Sequence, residues 1–201
     1  MKLTYQRVIA FFLLIALSVG FGFAFDGIAT AIEKRKYPLD ERYAAEIQSN
    51  AEEFGVPETV LWATVRTESD FVSNLVSETG EIGLMQLSPT RFQSIYTDIL
   101  NEPVPESGML YDPATNLRAG AALLSELYRR YGVWETVYAA YFAGEAQVDL
   151  WLADPELVNE QGRLQSIPDK ATAKYVKQTV KATELYEKLY YSAKERNSSH
   201  G

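Results

Sequence analysis

The chain has 201 residues, no cysteine, a single histidine at position 200 and a formal charge of −8 at pH 7. Without a thiol or an imidazole inside the fold, cysteine nucleophiles, Ser-His-Asp triads, disulfides and the usual zinc sites are excluded, so an enzyme built on this chain works with carboxylates. The acidic balance also opposes nucleic-acid binding, which wants a basic surface, and the length suits one membrane segment and one domain of about 150 residues.

Residues 1–7 carry Lys2 and Arg7, and the next charged residue is Asp26. The uncharged run from Val8 to Phe25 spans about 27 Å as a helix at about 1.5 Å per residue, close to a bilayer core. It is expected to be a single-pass anchor or an uncleaved signal. Ala29-Thr30-Ala31 has the small-x-small form of a cleavage site, but so long an apolar run favours retention. Lys34-Arg35-Lys36 on the far flank offsets the basic start, so charge alone leaves the orientation open. Residues 26–36 are expected to be a linker, with Pro38 marking entry to a domain over residues 37–191.

Asp40 is the candidate N-cap of a first helix with the stripe Tyr43, Ile47, Ala51 and Phe54, stopped by Gly55. Val56-Pro57 restarts the chain into a second helix ending at Glu68-Ser69. Residues 71–89 hold too many Gly, Ser and Asn for a long helix, and short extended segments are expected there. Pro89 or Thr90 opens a helix through Phe92 and Ile95, followed by a loop from Asn101 to Tyr111. Asp112-Pro113 is a cap with proline at the first helical position, leading the stripe Leu117, Gly120-Ala121, Leu124, Leu127-Tyr128 and Tyr131 to a stop at Gly132. Another helix runs from Trp134 to Gly144, and Val148, Trp151 and Leu152 suggest a further turn or two. A closing helix from Thr172 carries Tyr175-Val176, Thr179-Val180, Thr183, Tyr186 and Leu189-Tyr190, and residues 192–201 read as a disordered tail. The fold class is mostly α, in one domain.

Glu68 stands out because Leu61, Thr64, Val65 and Glu68 fall on one helical face. A carboxyl aimed where leucine and valine are aimed loses hydration of its charged form, which raises its pKa and keeps a proton available near neutrality. That suits a proton donor. A glutamate reaching from the helix end to water fits the same spacing.

Around Glu68 the residues fall into a recognisable pattern. Glu68-Ser69 with Phe71, Ser77 nine residues after the glutamate, Gly80, and Gly83-Leu84-Met85-Gln86 with Pro89 resemble the soluble lytic transglycosylase family. The likeness continues through Asp112-Pro113, Asn116-Leu117, Gly120, Ala139-Ala140-Tyr141, Ala143-Gly144, Trp151-Leu152, Ile167-Pro168, Thr172 and Tyr175-Val176. The resemblance implies a lysozyme-like (α+β) domain with a long substrate groove and, given the apolar run, a short membrane-anchored form on the outer face of a bacterial cytoplasmic membrane.

The resemblance further implies cleavage of the MurNAc-GlcNAc β-1,4 bond of peptidoglycan glycan strands with formation of 1,6-anhydro-MurNAc. Glu68 would be the general acid and then the base. Ser77 and Gln86 would position the muramyl acetamide and nearby hydroxyls, Tyr141 would help hold the intermediate, and Met85 and Tyr175 would line the substrate. No cofactor or metal is implied. The chain departs from the family pattern at Phe142, where asparagine is usual, at Ala171 and Ala173, where Glu and Arg are common, at Glu81 in place of a small residue, and at Ser88 in place of Met. Two alternatives stay open. Glu81 across the cleft could activate water and make the protein a muramidase, or the changed motifs could leave a membrane-tethered protein that binds peptidoglycan without cutting it.

Overall fold

A computed structural model of the chain describes residues 27–192. The expected basic start 1–7, the membrane segment 8–25 and the tail beyond Ser192 lie outside the described residues. Of the described residues, those up to Pro38 belong to one unit and those from Leu39 to a second. In the first, residues 27–36 are helical where a linker was expected. Beyond Gly27 this stretch is largely Ala, Ile, Glu, Lys and Arg, which are helix-permissive residues, and the N–H of Tyr37 closes on the carbonyl of Glu33 at 2.9 Å before Pro38 ends the run. Among the described residues no helix is long and apolar enough to cross a membrane.

The second unit opens with α1, Ala44–Phe54. Its N-cap is Tyr43 and makes no side-chain bond. The expected cap, Asp40, instead holds the N–H and guanidinium of Arg42 at 3.1 and 2.7 Å in the turn before the helix. Gly55, at φ 64°, reverses the chain into α2, Glu58–Glu68. This helix is buried on every side from Thr59 to Val65. The Leu61-Val65 face expected from periodicity is thus only part of what is buried, because α1 packs on one side and the closing helix on another.

Helix α3, Pro89–Ser94, starts one residue after Ser88, whose hydroxyl accepts the N–H of Arg91 at 3.2 Å. A π-helical turn, Ile95–Leu100, continues it to Asn101 in the left-handed conformation, and a 3-10 turn, Ser107–Tyr111, lies in the expected loop. Helix α4, Pro113–Tyr131, is capped as the sequence predicts, by Asp112 accepting the N–H of Thr115 at 2.9 Å. Its stripe is buried except at Tyr131, which is half-buried, and Tyr128, which is 41% exposed and stacks on Trp134 at 4.4 Å. Helix α5, Trp134–Ala143, follows the expected bounds, and α6, Glu145–Leu152, contains the expected further turns and begins at Glu145. Helix α7, Lys170–Tyr186, begins two residues before Thr172 because Asp169 caps it through the Thr172 N–H at 2.7 Å. A π-helical turn, Glu187–Tyr191, extends it to Ser192.

The expected extended segments appear as single antiparallel bridges, Val76 to Ile82 and Ile82 to Leu87, with one more at Val158 to Leu164 that the sequence did not signal. The core runs through Ile47, Leu61, Trp62, Leu84, Leu117, Leu124, Tyr138 and Tyr186, all 2% exposed or less. Burial of each such side chain is worth about 1.5–3 kcal/mol. Helix α7 packs on both α2 and α5, so it fixes the C-terminal end of α2 against the rest of the domain.

Candidate active site

Glu68 is the last residue of α2, and the chain leaves the helix abruptly. Asp70 and Phe71 both take positive φ, 50° and 65°, which costs energy in non-glycine residues. Phe71 is held there by burial against Trp62, with ring centroids 5.8 Å apart. Ser69 ties the helix end to the returning loop: its hydroxyl lies 2.9 Å from the carbonyl of Leu84 and 3.2 Å from that of Val65. The backbone turn that presents Glu68 is therefore fixed from two sides.

The loop is locked in turn by Asn116, a fully buried residue of α4. Its amide nitrogen donates to the carbonyls of Ile82 and Leu110, each at 2.9 Å, and its oxygen accepts the N–H of Met85 at 2.8 Å. Gly83 lies so close that a Cβ there would sit 2.4 Å from the Asn116 amide, at φ +85°. Glycine is required at 83 for the close approach and for the left-handed turn.

Between the end of α2, this loop, α3 and α5 lies a cavity of about 380 Å³, within the range of ordinary ligand pockets. Glu68, Ser77, Glu81, Gln86, Arg91 and Tyr141 contribute to its wall, and Phe142 forms part of its rim. The Glu68 carboxyl is partly buried, and Oε1 accepts the hydroxyl of Tyr175 at 2.6 Å. Burial pushes its pKa up to about 7, the Tyr175 hydrogen bond pulls the other way, and the negative charge of Glu81 raises it further. Burial beside Glu68 also holds the hydroxyls of Tyr141 and Tyr175 well above their ordinary values, so both stay protonated.

The expected site residues divide by placement. Gln86, at φ 46°, spends both amide hydrogens on the carbonyls of Leu75 and Gly83, at 3.2 and 2.8 Å. What it offers the cavity is its side-chain oxygen, an acceptor. The Ser77 hydroxyl accepts the N–H of Glu81 at 3.0 Å and donates to the Glu81 carboxylate, so its proton is already taken. Tyr141 is buried and donates to the carbonyl of Met85 at 2.6 Å. Met85 itself does not face the cavity: its side chain is fully buried in the small space left by Gly120, where a Cβ would meet it at 2.5 Å. Only its carbonyl approaches the site, through Tyr141. Tyr175 likewise stands behind Glu68 as its hydrogen-bond partner.

Arg91 and Phe142 are among the cavity residues that went unread as site members in the sequence. Arg91, in the first turn of α3, pairs with Glu145 at 2.8 Å, and a lone arginine after a proline carries no pattern that would single it out. Phe142, noted only as a departure, is 48% exposed and stacks on Tyr175 with centroids 4.6 Å apart. An exposed aromatic on a polar cavity rim suits the apolar face of a ring-shaped ligand. Among the described residues no group of acidic or histidine side chains is placed to hold a metal ion.

Comparison with known proteins bears on what this pocket is. The Transglycosylase SLT domain family profile matches residues 45–161. The membrane-bound lytic murein transglycosylase C of Yersinia enterocolitica is 35% identical over 97 residues, 46% of this chain and 27% of its own length. The soluble lytic murein transglycosylase of Escherichia coli K12 is 30% identical over 148 residues, 69% of this chain and 22% of its own length. The chain thus spans about a quarter of the length of these curated relatives. Among solved structures, the 70 kDa soluble lytic transglycosylase of E. coli superposes with a TM-score of 0.71 at 25% identity, over 79% of this chain and 26% of that one. An inactive Glu-to-Gln form of the Pseudomonas aeruginosa enzyme Slt gives 0.67 at 29% identity, over 76% and 24%. The helical scaffold is the lysozyme-like SLT fold. Since the match covers more than half of the chain and takes in Glu68, Ser77, Gln86 and Tyr141, the protein belongs to the Transglycosylase SLT domain family.

Proposed function

We propose that the protein is a peptidoglycan lytic transglycosylase whose acid and base are both Glu68. The observation that carries this reading is the state of that one carboxyl: buried at a helix end, raised to about 7, bonded by Tyr175 and open to a sugar-sized cavity. The relatives it matches are named lytic murein transglycosylases.

The hydrogen bonding supports one placement of the proton. Because Tyr175 donates to Oε1, that oxygen is an acceptor, and the acidic hydrogen of neutral Glu68 sits on Oε2. From there it passes to the glycosidic oxygen as the C1–O bond breaks. With no nucleophile supplied by the protein, the muramyl acetamide oxygen covers the positive charge at C1, the substrate-assisted exception to the two-carboxylate scheme. Gln86, with only its oxygen free, accepts the acetamide N–H and so makes the acetamide oxygen the better nucleophile. Glu68, now ionised, takes the proton of the 6-hydroxyl, whose oxygen closes on C1 to give the 1,6-anhydro ring. Proton transfer of this kind is worth about 10² to 10⁴ in rate. Tyr141, fixed on the Met85 carbonyl, keeps an acceptor lone pair and a rigid ring beside the reacting atoms.

The apolar run from Val8 to Phe25 supports anchorage in the cytoplasmic membrane with the domain on the wall side, where peptidoglycan lies. Resistance of the full chain to alkaline extraction from membranes tests that placement; release into the soluble fraction contradicts it. For the activity, the full chain is incubated with purified peptidoglycan beside Glu68→Gln. Soluble muropeptides from the native protein alone support catalysis by Glu68. Sedimentation with the glycan but no release from either protein supports a binding protein without turnover.

A further inference from the structure

We propose that Glu81 is a second working carboxylate of this cavity, a general base for water, so that a share of the cleavage events ends in hydrolysis instead of ring closure. The proposal rests on the reading of Glu68 as the proton donor.

The two carboxyls line one cavity but arrive from different elements, Glu68 from the end of α2 and Glu81 from the Ser77–Glu81 loop. The loop holds Glu81 in its charged form. Ser77 Oγ accepts the backbone N–H of Glu81, so its own hydrogen turns to Glu81 Oε2, and the Thr79 hydroxyl donates to the same oxygen. These two bonds, Ser77 first, keep the Glu81 carboxyl below the usual range. Among the described residues none donates to Oε1, and no Lys or Arg forms an ion pair with Glu81. One oxygen is therefore tied down and the other is a free acceptor on an uncompensated anion. That is the equipment of a general base.

Beside it stands a carboxyl pushed the opposite way. Glu68 is raised by burial and, in part, by the charge of Glu81 itself. Two acids in one pocket with environments that drive their protonation apart form the acid and base of a glycosidase. In the proposed branch Glu68 gives its proton to the leaving oxygen and the C1–O bond breaks, as before. A water oxygen then bonds to C1, and one water hydrogen passes to Oε1 of Glu81. The product is a reducing muramic end; Glu81 returns its proton to solvent and Glu68 regains one. No other reactant is needed.

The 6-hydroxyl belongs to the same sugar as C1 and has the advantage of an intramolecular group. Water competes only when a base activates it, so the hydrolytic share should be the minor one and should depend on Glu81.

The test is digestion of peptidoglycan by the full chain in water labelled with heavy oxygen, followed by mass analysis of the muropeptide ends, for the native protein, Glu81→Gln and Glu81→Asp. The expected result is anhydromuramyl ends together with labelled reducing ends from the native protein. The labelled share should fall at least about tenfold in Glu81→Gln and recover in part in Glu81→Asp, with thermal melting of all three alike. Anhydro ends alone, or a labelled share unchanged by Glu81→Gln, overturn the role of Glu81 and leave the lytic reading standing. Equal loss of both products in Glu81→Gln also overturns it, since the residue would then only support the loop. Labelled reducing ends without any anhydro product uphold Glu81 and overturn the lytic reading, and no product from the native protein overturns both.

Discussion

The phenol of Tyr175 donates to Oε1 of Glu68 at 2.6 Å, joining residues 107 positions apart. Helix α7, which starts at the Asp169 cap, packs along α2 and buries Tyr175 to 6% exposure. The bond both orients the carboxyl and favours its ionised form.

Removal of that hydroxyl should therefore act in two directions. Tyr175→Phe takes away the bond that lowers the Glu68 pKa, so the alkaline limb of the activity profile should move to higher pH. It also frees the carboxyl to rotate, and kcat should fall about tenfold to a hundredfold. Rates measured against pH for the two proteins check both effects. A fall in kcat with no movement of the limb would assign Tyr175 a packing role alone.

The raised pKa of Glu68 is also a statement about stability. Below about pH 4.5, its ordinary value, the carboxyl is protonated whether the chain is folded or not and contributes nothing. As pH rises toward about 7 the unfolded chain releases this proton while the native one keeps it, so stability falls across that window and the full cost is present above it. Glu68→Gln should be nearly neutral at pH 4 and stabilising by about 3 kcal/mol at pH 8, the worth of a pKa raised from 4.5 to about 7. Urea unfolding at both pH values measures the difference, and equal effects at the two would contradict the buried, neutral carboxyl.

Asn116 should be among the costliest positions to change. Asn116→Leu leaves the Met85 N–H and the Leu110 carbonyl without their partner inside the core, while the Ile82 carbonyl keeps the N–H of Leu87 at 3.1 Å. A loss of about 3 kcal/mol is expected, given about 1–3 kcal/mol for each buried group left unpaired. Denaturant titration reads the loss. Activity should fall as well, since the same bonds hold the loop that presents Gln86.

Phe142 replaces the asparagine usual in the resembling family and covers Tyr175 with its ring. Phe142→Ala should raise KM for glycan strands by about two- to tenfold, the worth of one aromatic contact, with a smaller effect on kcat. Restoring asparagine at 142 together with glutamate at 171 should shift substrate preference. Kinetics on strands with different peptide stems would detect this, and no change in any parameter would mean that neither position meets the substrate.

Much of this site is readable from the chain because local rules govern it. Glu68 at the end of an apolar face and the Asp112 cap each depend on neighbours within a few residues. The partnership of Glu68 with Tyr175 does not, and neither does the lock made by Asn116, since each depends on how distant helices pack. Met85 shows the limit most plainly. Its position in the Gly83–Gln86 loop suggested contact with substrate, but the N–H bond to Asn116 and the space over Gly120 turn its side chain into the core. Residues 27–36, read as a linker from their charges, are helical, since the same Glu, Lys and Arg side chains are compatible with a helix.

The most direct test of the central claim is the mass of the muramic ends released from peptidoglycan by the full native chain and by Glu68→Gln. Anhydromuramyl ends as the main product of the native protein, and none from Glu68→Gln, are the expected result. Anhydromuramyl ends formed equally by both proteins would contradict the assignment of acid and base to Glu68.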